Sequence, residues 1–518
     1  MGLTVAELYD HEVAERAGSD EGRRDAIARQ HSRGRRSARE RIDLLVDPGT
    51  FCEIGALARP SADGRDGLPL YADAIVTGVG SVDGRPAVII STDFTVAGGS
   101  NGELGNEKLR RSWEIAATRG IPVIMLFDGG GHRIDEGLDG RDFGGGFDFQ
   151  QVLARLSGWV PLVAAILGPA YGQPALTASL CDYVVAVRGH AEVGMAPQRV
   201  VRAATGEEVQ PNGTYSADAQ ASFGGVDLAV DDETEALLEL RLYLATMPSN
   251  ANASLPSESG LQPEPGAAAV LDSLVPAESR RGYDMQRVIA GIVDRDSQVE
   301  FKTAYAQNMI TMLATIDGMP IGIVANQPLV RAGMLDAGAA RKAARLVSLC
   351  DAFALPVLIL MDLPGLSVGH EAEASGLASA AAALSLEFGA ATVPTFTVLV
   401  RKGYGGGYVV QSGGRTNRPE LVLAWPTAQT GVMPVESAVD LIFRREISQA
   451  DDPAALRRDL VERHSANAGA IRVAEGFGVD AVIRPSETRE RLRTVMCTLP
   501  RRQLMQNLTP RRHPVAPL

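Results

Sequence analysis

Residues Phe127 to Gly137, FDGGGHRIDEG, put three glycines, a histidine, an arginine and two carboxylates directly after the apolar run IPVIMLFD. Two chemistries fit such a stretch. His132 with a neighbouring aspartate is a candidate acid–base pair. Gly129, Gly130 and Gly131 instead let the backbone approach a ligand and reach positive φ. Two further glycine-rich turns, Gly168–Gly172 and Gly403–Gly407, follow apolar runs in the same way. Peptide N–H groups in a turn that opens a helix lack intrahelical acceptors. Two of them aimed at one point make an oxyanion hole, worth roughly 3 kcal/mol or more per donor. The plainer reading is that these glycines only make tight strand–helix turns. Nucleotide-binding patterns do not compete: GxxxxGK[ST] and a strand-following GxGxxG are missing from the sequence.

The elements that must position these turns occur twice. Asp83-Gly84 recurs as Asp317-Gly318 and Asp128 as Asp362, each 234 residues on, and Tyr171-Gly172 recurs as Tyr404-Gly405. AEVGMAPQRVV against AQTGVMPVESAV is a weaker fourth pair. Each half reads as an Asp-Gly hairpin, a helix of about 14 residues, and an apolar run buried on both faces of a sheet. The fold class is therefore α/β, with helices around largely parallel sheets. The expected organisation is an N-terminal basic helical segment (1–59), a first domain (60–245), a linker rich in Pro, Ser, Asn and Gly (246–284), and a second domain with the C-terminal tail (285–518).

A chain of 518 residues is too long for one core. A net charge of −13 argues against nucleic acid as the main partner. The four cysteines are far apart, which excludes a sequence-local zinc ribbon and points to buried thiols. The N-terminus lacks the apolar core of a signal peptide, and no run of about 18 apolar residues spans a membrane, so the cytoplasm is expected. The segment RRDAIARQHSRGRRSARERIDLL has a weak apolar face at Ile27, Ala38, Ile42 and Leu45. It reads equally as a solvated helix or as a phosphate clamp of arginines, among them Arg35, Arg36, Arg39 and Arg41.

SARERIDLLVDPGTFCEIG, DFTVAGGSNGELGNEKL, IPVIMLFDGGGHRIDEG, TGEEV, IGIVANQP, LPGLSVG, RKGYGGGY, LAWPTAQTGVM and the tail PRRHPVAPL appear in this order. Together they resemble the β (carboxyltransferase) subunit of biotin-dependent acyl-CoA carboxylases, the propionyl-CoA carboxylase type most of all. The resemblance implies two tandem crotonase-like domains of the ClpP/crotonase superfamily. It also implies a ring-shaped hexamer, a separate biotin carboxylase/biotin carrier α subunit as partner, and an acyl-CoA substrate. The implied chemistry moves a carboxyl group from carboxybiotin to the α-carbon of the acyl-CoA through an enolate, with peptide N–H pairs holding both oxyanions and no metal in this chain. Gly172 and Gln173 would serve the thioester, and Gly406 and Gly407 the biotin. Gly129, Gly130, Gly131, Arg133, Arg39, Arg41, Tyr404, Gly405 and Val409 would line the ligands. The opening stretch then reads as backbone beside CoA rather than as a His–Asp pair.

Several residues depart from that pattern. Gln173 and Pro174 stand where the family has Gly and Ala, and His132 where it has a small residue. Val409 replaces a small or polar residue. LASAAAALSLEFGAA after Gly376 lacks the family's basic helix start, and QPNGTYSADAQ replaces its Glu-Leu-Gly-Gly-Ala segment. Three functions remain open on these residues: a carboxyltransferase subunit for an unusual acyl-CoA, a biotin-independent decarboxylase of malonyl-type thioesters, and a non-catalytic β-like subunit of a mixed complex.

Overall fold

Asp83-Gly84 and Asp317-Gly318 make the first turn of each half. All four residues have positive φ, between 50° and 74°, the conformation that a two-residue type I′ hairpin requires. They join β2 (Ile75–Val82) to β3 (Arg85–Thr92) and, further along, β12 (Met309–Ile316) to β13 (Met319–Asn326) in antiparallel register. The computed structural model describes residues 3–9, 23–60, 64, 67, 69–134, 136, 149–210 and 213–502. They divide into two compact units that meet in the chain between Ser254 and Leu255.

The first unit holds β1 (Cys52–Ile54), β2, β3, β4 (Ser100–Asn101), β5 (Val123–Gly129), β6 (Gly131–His132), β7 (Leu162–Tyr171), β8 (Tyr183–Val187), β9 (Glu192–Gly194) and β10 (Leu228–Val230). Its main sheet runs β1-β2-β3-β5-β7-β8-β10, with β9 added to the end of β7. The second unit adds β11 (Val299–Phe301), β12, β13, β14 (Val357–Leu363), β15 (Thr395–Tyr404), β16 (Leu421–Ala424), β17 (Gln429–Gly431) and β18 (Ala481–Val482). Its order, β11-β12-β13-β14-β15-β16-β18 with β17 on β15, repeats the first. From β3 and β13 onward the neighbours pair parallel. This is the duplicated α/β architecture expected from the repeats.

β5 and β14 are buried along their whole length, as continuous apolar runs predict. The helices that feed them, Glu103–Arg119 and Ala337–Phe353, have 17 residues each. Each ends on a left-handed residue, Gly120 or Ala354, which stops the helix just before the strand. The first core centres on Trp113, edge-on to Phe149 at 5.4 Å, with Met125 and Ile166. The second centres on Phe396 and Trp425, with Ile323 and Leu358.

Residues 246–284 are shared between the units. Asn250 Nδ2 donates to the Gly120 carbonyl at 2.8 Å, whereas Leu271, on the helix Ala267–Leu274, is buried in the second core. The N-terminal segment forms two helices, Arg24–His31 and Ala38–Leu45. The second opens with a capping box, in which Ser37 accepts from the Glu40 N–H and Glu40 from the Ser37 N–H. Ala38, Ile42 and Leu45 are buried, while Ile27 is half-buried. Cys181 and Cys350 are buried, but Cys52 and Cys497 are exposed, so the expectation of buried thiols holds for two of the four.

Candidate active site

In an open parallel sheet the ligand site lies beyond the carboxyl ends of the strands. Three turns of the first unit meet there. After β3 comes Ala97-Gly98-Gly99, all three with positive φ. After β5 comes the glycine run, and after β7 comes Gly172-Gln173-Pro174. A Cβ on Gly129 would collide with the Gly99 carbonyl, which fixes the first two turns against each other. A Cβ on Gly131 would lie 2.7 Å from the Tyr171 carbonyl and 3.2 Å from Pro174 Cδ, which fixes the second against the third. Between them Gly130 is exposed and has open space where a side chain would begin. The opening stretch is thus backbone held by its neighbours. Asn106 Nδ2 lies 3.3 Å from His132 Nδ1, and Asp135 lies outside the described residues.

The second unit repeats the arrangement. Arg331-Ala332-Gly333 have positive φ, and a Cβ on Gly333 would lie 2.5 Å from the Asp362 carbonyl. Gly407 is buried against the Gly365–Leu366 backbone, Gly405 has φ 61° beside the Val432 carbonyl, and Gly406 is exposed. The helix Gly405–Val410 starts here, so its first N–H groups have no intrahelical acceptor. Tyr404 is buried and donates to Gln429 Oε1 at 2.9 Å, and burial pushes its hydroxyl up to about 12. Val409 is half exposed on the same short helix. Next to this turn lies a cavity of about 510 Å³, lined by Arg331, Asp336, Arg341, Val368 and Glu371 among others.

The left-handed turns after β3 and β13 share a single glycine, Gly99 and Gly333, too faint a signal to mark them in the sequence. Ala97 and Arg331 are 234 residues apart, so the offset alone could have paired them.

Six candidate residues have other commitments. The Gly172 N–H donates to the Gly194 carbonyl at 3.0 Å, so of the pair Gly172 and Gln173 only the second is left to donate outward. Arg41 is fully buried, with Nη1 on Asp128 at 2.8 Å and Nη2 on Glu233 at 2.6 Å, and cannot reach a phosphate. Arg39 Nη2 is held by Glu53 at 2.9 Å. Arg133 Nη2 donates to Asp73 at 2.6 Å and to the Ser100 carbonyl at 2.9 Å, and Nη1 pairs with Glu136. Arg35 pairs with Asp128, and burial draws its pKa down to about 10. Arg36 Nη2 donates to Thr234 Oγ1 at 3.1 Å. Arg35 and Arg41 are therefore buried charge partners inside the first unit, Arg36 and Arg39 are part-exposed, and the helix Arg24–His31 is largely exposed.

Known proteins share this arrangement. Residues 29–514 match the family model described as the carboxyl transferase domain. The chain belongs to the carboxyl transferase family. It is 37% identical over 506 residues to the propionyl-CoA carboxylase beta chain of Saccharopolyspora erythraea, covering 94% of this chain and 91% of that one. It is 35% identical to the methylmalonyl-CoA decarboxylase subunit alpha of Propionigenium modestum, covering 90% of each. A transcarboxylase 12S crystal structure, described as a hexamer assembly with methylmalonyl-CoA and methylmalonic acid bound, superposes with a TM-score of 0.89 at 33% identity over 99% of both chains.

The departures from the carboxyl transferase pattern find physical places. Gln173 Nε2 donates to Thr177 Oγ1 at 2.9 Å, which folds the side chain back along the helix Gln173–Ser179. Pro174 lies in the first turn of that helix, where proline breaks no intrahelical bond but supplies no N–H. Tyr215, in the replaced segment after TGEEV, stands edge-on to Tyr171 at 5.6 Å. LASAAAALSLEFGA forms a helix that buries Leu377, Ala380, Ala381, Leu384 and Phe388. No helix of the described residues is long and apolar enough to cross a membrane.

Proposed function

We propose that this chain is the carboxyltransferase subunit of an acyl-CoA carboxylase, with the first unit serving the acyl-CoA and the second the biotin. One observation carries the reading. In both units a short helix starts at the end of the long central strand, beside a left-handed turn, with glycine backbone open to approach at Gly130 and Gly406. Biotin fits the second turn: Gly406 is exposed, and a Cβ there would meet only Leu366 Cδ1, at 3.2 Å. When carboxylated and bound, that group supplies the carboxyl carbon. The residues of this chain orient and stabilise. The first-turn N–H groups of Gly406 and Gly407 hold the ureido oxygen. The Gln173 N–H, with a second donor from the Ala97–Gly99 turn, holds the thioester oxygen as it takes on enolate charge. No side chain need take the α-proton, because the ureido nitrogen freed when the carboxyl group leaves would accept it, which suits a site built of backbone.

The related transcarboxylase forms a hexamer. We propose a hexamer here too, with each site completed by the first unit of one subunit and the second unit of another, a biotinylated α subunit as partner, and cytoplasmic location. The acyl group is propionyl or longer, with Val409 near it.

Gly406→Pro tests the mechanism. Proline is tolerated in the first helical turn, so the fold is retained while one donor is lost. Turnover is expected to fall by about 10²–10³-fold, the usual effect of deleting an oxyanion donor, and unchanged turnover rejects the role of Gly406. The likeness to a methylmalonyl-CoA decarboxylase subunit favours a second reading, decarboxylation of a malonyl-type thioester through the same enolate. Loss of carboxylate without ATP is its signature.

A further inference from the structure

Both site-bearing strand pairs are broken at the same point. The β5–β7 register passes from Phe127↔Ile166 to Gly129↔Ala170, and the β14–β15 register from Met361↔Leu399 to Leu363↔Gly403. Each break sets three residues, 167–169 or 400–402, opposite one fully buried aspartate, Asp128 or Asp362. Such bulges re-aim a strand end beside an active site, and here the glycine turns follow within a few residues.

The two bulges are filled from different sources. In the second unit the partners stand in the bulge itself. Arg401 Nε donates to Asp362 Oδ2 at 3.1 Å, the Lys402 N–H donates to Oδ1 at 3.1 Å, and Tyr283 adds its hydroxyl to Oδ2 at 2.8 Å. In the first unit the corresponding residues are Gly168 and Pro169, which have no cationic side chain and, at Pro169, no N–H. The missing partners come from the N-terminal segment. Arg35 pairs with Asp128 Oδ1, Arg41 Nη1 with Oδ2 at 2.8 Å, and Gln30 Nε2 donates to Oδ2 at 3.3 Å. A Cβ on Gly168 would collide with both Arg35 Nη2 and Asp128 Oδ1, so this glycine makes room for the imported guanidinium. Arg35 also lies over the Phe94 ring at 4.7 Å, at the approach to the Ala97–Gly99 turn.

We infer that the aspartate-centred bulges position the glycine turns, and that Arg35 is the positioning residue of the first unit. The N-terminal segment then becomes part of the acyl-CoA side, an assignment that rests on the function proposed above. Removing Arg35 leaves Asp128 short of a buried partner and lets the bulge relax. Gly129–Gly131 and Gly172–Gln173 shift, while the turn at Gly405–Gly407 keeps its own in-strand arginine.

The test compares the assembled wild type, Arg35→Ala and Arg35→Lys. Two readouts are taken: kinetics with propionyl-CoA and the biotinylated α subunit, and hydrogen exchange of peptides covering 127–134, 170–176 and 402–410. For Arg35→Ala, kcat/KM for propionyl-CoA is expected to fall by about 10²-fold, the usual scale for a site misplaced by about 1 Å. The KM for the α subunit stays unchanged, and exchange quickens in the first two peptides only. Arg35→Lys shows the same direction more weakly, because an ammonium keeps the charge but loses the planar guanidinium over Phe94, and it carries the comparison if Arg35→Ala does not assemble. Normal kinetics and exchange in the Arg35 variants overturn the inference. So does an equal loss toward both substrates. A wild type inactive on propionyl-CoA and on longer acyl-CoAs refutes the proposed function instead, and the exchange comparison still decides the role of Arg35.

Discussion

Gly129 and Gly130 are neighbours with opposite reasons to be glycine. At Gly129 a Cβ would collide with the Gly99 carbonyl, whereas at Gly130 it would enter open space. Gly129→Ala is therefore expected to destabilise the fold by about 1–3 kcal/mol, as overpacking does. Gly130→Ala should leave stability within about 0.5 kcal/mol, as surface changes do, yet raise the KM for acyl-CoA if this backbone borders the ligand. Urea denaturation and steady-state kinetics on the two variants separate these effects, and a normal KM for Gly130→Ala removes that residue from the site. The glycines of this loop are legible in the sequence because their spacing repeats no other chemistry. The arginines are not. Arg41 and Arg133 look like anion ligands until the fold brings up Asp128, Glu233 and Asp73, partners between 60 and 192 residues away. Charge in a sequence shows what a residue can bind, not what has already bound it.

The elements that frame the site are held by buried lysines at matching positions. Lys108, on the helix Glu103–Arg119, donates to the carbonyls of Ala72, at 3.1 Å, and Ile75. Lys342, 234 residues on, donates to Lys302, Tyr305 and Met309 at 2.7–3.0 Å. Each lysine ties the segment before a hairpin to the helix after it. Burial lowers the Lys108 pKa to about 8. Above that pH the folded state binds fewer protons than the unfolded state until the ordinary lysine value near 10.5 is passed. The Lys108 contribution to stability is thus expected to rise with pH between about 8 and 10.5, and to be flat below. Chemical denaturation at pH 7, 9 and 10, wild type against Lys108→Met, reads this difference, and a difference that shrinks over that range contradicts it. At this scale the hairpins, the helices and the buried strands follow from Asp-Gly turns and apolar periodicity. The left-handed turns Ala97–Gly99 and Arg331–Gly333 do not, since alanine and arginine hold positive φ only where surrounding packing compels it.

At the scale of the whole chain, the duplication is the feature that makes the molecule intelligible. Two sheets with the same strand order put glycine turns at the same strand ends, and the proposed function gives those turns a shared chemistry. Order and offset revealed the repeat directly, since both survive where individual residues do not. What the repeat conceals is asymmetry: Gly168-Pro169 against Arg401-Lys402, and Gln173-Pro174 against Gly406-Gly407. In the proposed function these differences adapt one architecture to two ligands, and they stand out only when the partners of each bulge and turn are seen. The most direct test of the account is mass spectrometry of an acyl-CoA panel incubated with the purified chain, a biotinylated α subunit, ATP and bicarbonate, with each component omitted in turn. The account predicts the gain of one carboxyl group on propionyl-CoA or a longer acyl-CoA, dependent on both ATP and the α subunit. No gain on any acyl-CoA, with loss of carboxylate from malonyl-type thioesters by the chain alone, would contradict it.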